Sequence, residues 1–166
     1  MVAYSVLGFK RYVDKLAVMR CLTLLGVDDT VAELSAVLDE LGVADSTYFI
    51  FSSDHGYNLG HHRLPDNKFN SYMHDLRIPF LIRGPGISGG QLRPEIITQV
   101  DYAATFLGLA GIPTPARMDG RSLVPLVVSE DGLASAPASV AAHWRQETAR
   151  RAGTPWRDHS LTVWYK

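Results

Sequence analysis

The run of residues 47–52, Thr-Tyr-Phe-Ile-Phe-Ser, restricts what this chain can fold into more than any other feature. Its apolar side chains are nearly continuous, whereas a strand with one solvated face alternates apolar and polar residues. The run therefore predicts a strand covered on both faces, as in the parallel sheets of α/β domains. Asp54, His55 and Gly56 follow at once, and in open α/β sheets ligands bind beyond the carboxyl ends of the strands. We predict a binding site at this point.

The order of the other predicted elements also indicates an α/β fold with a mostly parallel sheet. Apolar residues three and four apart predict helix over residues 12–41. Gly26 leaves open whether this is one helix or two, and Gly42 is expected to end it. Further strands are predicted over residues 78–83 and 161–165, and a short strand or an extended segment over 96–100. Further helices are predicted over 101–110, capped by Asp101, and over 123–128, capped by Ser122.

The predicted elements divide the chain into three parts. Residues 1–128 hold most of the helices and strands and are expected to form one α/β unit. Residues 129–159 are rich in Ala, Ser, Gly and charged side chains with little periodicity, so we interpret them as a linker or surface excursion. Residues 160–166 form a strand pattern at which the sequence stops, and a chain that stops there is expected to be truncated.

Composition excludes several classes of protein. The chain is 46% hydrophobic and 20% charged with a formal net charge of −1, which is typical of a soluble globular protein. Without a basic excess, nucleic acid is not expected as a partner, and no apolar run approaches the ~18 residues that span a bilayer. The single cysteine, Cys21, excludes an internal disulfide and is expected to be a buried thiol on a helix.

The side chains after the first predicted strand could bind a cation and an anion. Asp54 and His55 are candidate metal ligands, although a turn carboxylate and a loop histidine would have the same sequence. Residues 56–72 are predicted to form a long loop, which is usually functional or disordered. In it Lys68 could neutralise an oxyanion or be an ordinary exposed lysine. His61 and His62 could be ligands, acid–base groups, substrate contacts or none of these.

A second pair of carboxylates, Asp28 and Asp29, lies between two apolar stretches of the predicted first helix. The pair could be a metal or acid–base site. The simpler interpretation places both residues in a first helical turn after Gly26, where the helix dipole favours negative charge.

A set of short motifs is spread along the chain. They are FSSDHGY at residues 51–57, LG at 59–60, LP at 64–65, Lys68, Tyr72 and RIPFLIRGPGI at 77–87. Further blocks lie at residues 27–42, 100–113, 119–126 and 156–157. The order of these motifs resembles the C-terminal half of the catalytic domain of type I sulfatases. The loop length between Asp54 and Lys68 and the Leu-Pro before that lysine are most similar to the N-acetylglucosamine-6-sulfatases.

The resemblance implies an alkaline-phosphatase-like α/β sandwich, here truncated at both ends, that hydrolyses sulfate esters of glycosaminoglycan sugars. In that family a formylglycine is the nucleophile and Ca²⁺ neutralises the sulfate. By position, Asp54 and His55 would be two Ca²⁺ ligands, Lys68 would contact the sulfate, and His61 and His62 would lie in a possible substrate loop. The implied partner is a sulfated sugar, and the implied location is lysosomal or secreted.

Two departures from the family concern the missing parts of the site. Cys21 is followed by Leu-Thr-Leu and not by the Pro-containing motif that yields formylglycine, and the family's upstream aspartate pair has no counterpart here. We therefore expect this chain alone to be inactive. The alternatives are a phosphonate or phosphate monoester hydrolase of the same superfamily and a non-catalytic, anion-binding remnant. Another chain is expected to cover the exposed sheet.

Overall fold

The computed structural model describes residues 6–64 and 66–157 of the chain. In order, its elements are α1 (Val6–Glu40), β1 (Phe49–Ser52), α2 (Met73–Leu76), β2 (Phe80–Arg83), α3 (Val100–Leu109), α4 (Val124–Val127), α5 (Glu130–Ser135) and α6 (Ala138–Arg151), with short 3-10 turns at Ala44–Ser46 and His61–Arg63. The chain divides between Ile82 and Arg83 into two compact units. No helix in the described part combines the length and the apolarity that crossing a bilayer requires.

The first helix, α1, is continuous through Gly26. It ends where the sequence predicted, because Gly42 adopts φ +67° and the Val43 N–H bonds to the Leu38 carbonyl at 3.1 Å. Asp28 and Asp29 therefore lie in mid-helix on an exposed face, so their interpretation as first-turn residues is wrong.

The apolar side of α1 is largely exposed. Leu22 and Leu25 are each 61% exposed and Val18 is 59% exposed. Cys21 lies on the same stretch and is exposed, so the expected buried thiol is also wrong. A helix pattern predicts which side chains share a face, but not what covers that face.

The sheet of the described residues consists of β1 and β2, which pair with each other. Both strands were predicted, and each begins two residues later than expected. The Ser52 hydroxyl adds a hydrogen bond to the Pro79 carbonyl at 2.8 Å. All four residues of β1 are half-buried, so neither face of this strand is fully solvated. A parallel direction remains a prediction, and the strand predicted over residues 161–165 lies outside the described residues.

Residues 96–100 do not form a strand; the segment 96–98 is irregular and leads into α3. Its backbone groups bond to side chains and not to a neighbouring strand: the Thr98 N–H donates to the Asp101 carboxylate at 2.9 Å, and the Ile96 carbonyl accepts the Trp156 Nε1–H at 2.7 Å. Val100 already belongs to α3. Local apolar composition favours a strand, but the hydrogen bonds that would form one are used elsewhere.

The second unit packs α3, α4 and α6 around Trp144, which is 2% exposed. The Trp144 Nε1–H donates to the Gly108 carbonyl of α3 at 2.9 Å. Residues 130–135 and 138–151 therefore form two helices, α5 and α6, where the sequence predicted a linker or surface excursion. Ser129 caps α5 by accepting the Gly132 N–H at 3.1 Å. Helix α6 was not predicted because it has few apolar residues. Much of its packing surface comes from one buried tryptophan, Trp144.

Two predicted caps are displaced from the true helix ends. Gln99, and not Asp101, is the N-cap of α3, while Asp101 lies in the first turn and is fully buried. Leu123, and not Ser122, is the N-cap of α4. The Ser122 hydroxyl still accepts the Val124 N–H at 3.3 Å and donates to Glu147 at 2.7 Å.

Candidate active site

Asp54, His55 and Lys68 lie together just beyond the end of β1. The Lys68 Nζ is 3.1 Å from the His55 Nε2, and the Asp54 Oδ2 is also 3.1 Å from that nitrogen. Asp54 is 80% exposed at its side chain and His55 is 35% exposed, so the cluster opens to solvent on the carboxylate side. Lys68 lies 13 positions after His55 in the sequence, and the fold of the intervening loop brings them into contact.

The ring of His55 is oriented by its own neighbour. Its Nδ1 lies 2.6 Å from the Gly56 carbonyl oxygen, which can only accept, so Nδ1 carries the proton. In the neutral ring Nε2 then presents a lone pair, which accepts from the Lys68 ammonium. Two electron-pair donors, Nε2 and the Asp54 Oδ2, thus face each other at a distance that suits a shared cation.

Gly56 is required for the chain to leave this cluster. Its N–H donates to the Asp75 carbonyl at 2.8 Å, so its backbone lies directly against α2. A Cβ at this position would approach the His74 carbonyl oxygen to 1.8 Å, which no side chain tolerates. The Asp-His-Gly sequence therefore combines two chemical groups with one close backbone approach.

Two buried polar residues hold the 56–72 loop. Asn58, 1% exposed, pairs its backbone with Asn67 as an isolated antiparallel bridge, and its Oδ1 accepts the His61 N–H at 3.1 Å. Asp75, 5% exposed, accepts the Asn70 N–H through Oδ2 at 2.7 Å. The predicted loop is confirmed, and internal hydrogen bonds fix the part of it that carries Lys68.

The tip between these anchors consists of Lys68 and Phe69. The Asn67 Oδ1 accepts the Lys68 N–H at 2.8 Å, and the Lys68 Nζ lies 5.3 Å from the centre of the Phe69 ring. Phe69 is 72% exposed and has φ +70°, an uncommon conformation for a bulky residue.

His61 and His62 contribute to a separate aromatic cluster. The His61 ring stacks on His74 with centroids 3.7 Å apart, and the His62 ring stacks on Tyr72 at 4.2 Å. His62 also meets His74 edge-on at 5.7 Å. The rings of His61 and His62 therefore contact His74 in α2 and Tyr72, the residue before α2.

Electrostatics differ between the two clusters. A hydrogen bond from the His55 backbone lowers the pKa of Asp54 and outweighs its desolvation, and a positive charge on the His55 ring would act in the same direction. Asp54 is therefore ionised at neutral pH, as a cation ligand must be.

Partial burial lowers the pKa of His61, and the charges of His74, His62 and Arg20 lower it further. His61 is therefore a neutral ring near pH 7.

The donor set fits part of a divalent-cation site. One carboxylate and one imidazole are suitable ligands, but Ca²⁺ takes about six to eight oxygens and a transition metal about four to six donors. Within residues 6–64 and 66–157, no group of three His, Cys, Asp or Glu side chains is arranged to hold a metal. Asp54 and His55 can therefore supply two ligands and require others.

Sequence reasoning missed the residues that position this site. Asn58, Asn67 and Asp75 carry no motif, because each acts through hydrogen bonds to the backbone of the loop. The one available signal was the density of Asn and Asp in the loop, since these side chains commonly bond to nearby backbone.

The chain matches known sulfatases in sequence. The family model described as Sulfatase matches residues 19–112, which is more than half of the chain. The Extracellular sulfatase SULF-1 homolog of Drosophila melanogaster is 46% identical over 122 residues, covering 74% of this chain and 11% of that protein. The human N-acetylglucosamine-6-sulfatase is 36% identical over 124 residues, covering 74% of this chain and 22% of that protein. The chain thus spans a small part of the length of these relatives.

A solved structure shares the fold. It is described as BT4656 in complex with its substrate D-Glucosamine-2-N, 6-O-disulfate; its TM-score is 0.61 at 36% identity, and the match covers 65% of this chain and 22% of that one. The α/β fold predicted from the sequence is therefore similar to that of a sulfatase relative. From the family match and these likenesses together, the chain belongs to the sulfatase family.

Proposed function

We propose that this chain supplies the cation- and sulfate-facing part of an active site that hydrolyses sulfate esters of amino sugars. The proposal is carried by one observation: in a chain of the sulfatase family, the Asp54 Oδ2 and the Lys68 Nζ each lie 3.1 Å from the His55 Nε2. It joins two electron-pair donors for a cation to one cationic group for an oxyanion.

Each residue has one role. Asp54 and His55 would hold a divalent cation, Ca²⁺ by family resemblance, and that ion would supply positive charge to the sulfate oxygens when bound. Lys68 would leave the His55 Nε2 and donate to a sulfate oxygen, where its fixed charge stabilises the negative charge that develops during cleavage. Gly56 and Asp75 keep the two halves of the cluster at their observed separation.

The substrate class follows from the relatives. One relative is a human N-acetylglucosamine-6-sulfatase and one related structure holds a disulfated glucosamine, so a sulfated hexosamine of a glycosaminoglycan is the proposed substrate. Another relative is described as extracellular. We place the working enzyme in a secreted or lysosomal setting.

This chain alone is proposed to be inactive. Its single cysteine is followed by Leu-Thr-Leu, so the sequence contains no motif for a formylglycine nucleophile. Two ligands also bind a cation weakly. The exposed apolar side of α1 supports a further polypeptide segment, in this chain or another, that covers the helix and completes the site.

Two alternative functions would use the same residues. The imidazole of His55 is a donor that transition metals accept well, which favours a phosphate or phosphonate monoester hydrolase. A non-catalytic anion-binding protein would need only Lys68 and its neighbours.

A chimera tests the proposal. Residues 19–112 would replace the matching segment of the human N-acetylglucosamine-6-sulfatase, and hydrolysis of N-acetylglucosamine 6-sulfate and of an aryl phosphate would be compared. Lys68→Met and Asp54→Asn are each expected to lower kcat for the sulfate ester by about 10²–10³. Arg93→Met and Asp28→Asn are the matched controls, since both positions are exposed.

The outcomes of this assay separate the hypotheses. Full activity in the Lys68→Met chimera would remove the lysine's role, provided that its melting temperature equals that of the parent. Faster cleavage of the phosphate ester would select the alternative hydrolase. Turnover of a sulfate ester by the unmodified 166-residue chain would contradict the proposed inactivity.

A further inference from the structure

Phe69 is an exposed aromatic side chain placed next to the proposed sulfate-binding lysine. It is 72% exposed, while Lys68 beside it is half-buried and holds its Nζ 5.3 Å from the centre of the phenyl ring. Single exposed apolar side chains are common on protein surfaces. Phe69 is distinguished by its place beside a cationic group of the proposed site.

The backbone at Phe69 is held in a conformation that its side chain disfavours. A φ of +70° suits Gly or Asn, whereas for a bulky residue it is strained. The strain persists because the chain is anchored on both sides of Phe69: Asn67 pairs with buried Asn58, and the Asn70 N–H donates to buried Asp75. These two anchors determine where the Lys68–Phe69 tip points.

A cationic group beside an aromatic face can bind a ligand that has an anionic group next to an apolar face. A sulfated sugar carries an anionic oxygen cluster on an exocyclic group and an apolar face of ring C–H bonds. Aromatic rings pack well against such faces, and lysine pairs with sulfate oxygens. The two features lie on adjacent residues, so a single ligand can meet both.

We propose that Phe69 is the specificity-determining residue that stacks on the sugar ring of a sulfate ester whose sulfate is bound by Lys68. This inference rests on the proposed function and adds the means by which the site distinguishes a sulfated sugar from a small sulfate ester. It assigns no chemical step to Phe69, which acts on the affinity for substrate.

The test is a ligand titration of the full 166-residue chain by NMR, with the aromatic and lysine side chains labelled. N-acetylglucosamine 6-sulfate and methyl sulfate serve as probes, and the ratio of their dissociation constants is the measured quantity. The wild-type chain is expected to prefer the sugar ester by about three- to tenfold and to show ligand-induced shifts at the Phe69 ring. Phe69→Leu should abolish the preference while methyl sulfate still binds, and Phe69→Trp should restore it.

The outcomes separate this inference from the proposed function. An unchanged ratio in Phe69→Leu, or ring shifts at Tyr57 or Tyr72 without any at Phe69, overturns the stacking role and leaves sulfate binding intact. If neither probe binds the wild-type chain, or if Lys68→Met binds both as well as the wild type does, the sulfate site fails and the inference fails with it. Phe69→Asn, which accepts a positive φ, replaces the leucine variant if that variant does not fold.

Discussion

Replacing Arg157 by Gln should destabilise the second unit by about 3 kcal/mol. The Asp101 carboxylate is fully buried, and Arg157 donates to both of its oxygens, at 2.5 Å from Nη1 and 2.9 Å from Nη2. The Arg157 Nη1 also donates to the Thr98 hydroxyl at 3.0 Å. Loss of the guanidinium leaves a buried charge without its counter-ion.

The magnitude follows from what remains around Asp101. Breaking a buried ion pair by removing one partner costs about 3–5 kcal/mol. The carboxylate keeps two backbone donors, the Thr98 N–H at 2.9 Å and the Arg121 N–H at 2.8 Å, and Arg157 itself is 14% exposed. Both facts place the expected cost at the low end of that range. Arg157→Lys, which keeps a charge but loses the two-pronged geometry, should cost about half as much.

The destabilisation caused by Arg157→Gln should decrease as the pH falls. Burial raises the pKa of Asp101, but hydrogen bonds from Arg157, Arg121 and Thr98 overcome it, so the net pKa lies below the usual value. A carboxyl with a depressed folded-state pKa stabilises the fold above its unfolded-state pKa, about 3.9, and loses that contribution as pH falls through the folded value. The difference between wild type and Arg157→Gln should therefore be full at pH 7 and shrink below about pH 4.

Urea unfolding followed by tryptophan fluorescence measures this difference, since Trp144 is buried in the same unit. Lys10→Gln is the control: its partner Asp14 and Lys10 are 58% and 70% exposed, and such pairs contribute less than about 1 kcal/mol. A cost for Arg157→Gln no larger than that of the control, or one that is constant from pH 7 to pH 3, would refute the reasoning.

Two further changes test the environment of the site. Gly56→Ala should cost about 3 kcal/mol or more in urea unfolding, because a Cβ would lie 1.8 Å from the His74 carbonyl oxygen; Gly89→Ala, with no atom near its Cβ, should be neutral or slightly stabilising. His74→Gln should raise the pKa of His61 toward its usual value of about 6.5 in an NMR titration, since part of its depression comes from His74. An unchanged His61 pKa would assign the depression to burial and the other charges alone.

Strands β1 and β2 and the proximity of Asp54, His55 and Lys68 were predictable because their signals are local. A continuous apolar run predicts β1, and Asp54, His55 and Lys68 stand in a recognisable order after it. The two caps were misplaced by one or two residues, because Asp101 and Ser122 each bond to groups far along the chain, at Arg157 and Glu147. Long-range pairs of this kind leave no local pattern.

The absence of a local pattern also explains why the sequence did not predict helix α6 or the roles of Asn58 and Asp75. Helix α6 has few apolar residues, and its burial depends on Trp144 finding the Gly108 carbonyl 36 positions away. Asn58 and Asp75 act through backbone contacts across the 56–72 loop, which composition alone does not reveal. The exposure of Cys21 was missed because periodicity defines a helix face without defining its neighbour.

Asp54 and His55 are proposed to hold a cation, and Lys68 an anion, in one cluster. The ¹⁵N chemical shift of the His55 Nε2 reports on it directly, because that nitrogen accepts from Lys68 and faces Asp54. Titration of the full chain with millimolar Ca²⁺ and sulfate together is predicted to shift Nε2 while Nδ1, held by the Gly56 carbonyl, stays constant. Each ion should tighten the binding of the other. A constant Nε2 signal, with shifts confined to exposed carboxylates such as Asp28 and Asp29, would contradict the account.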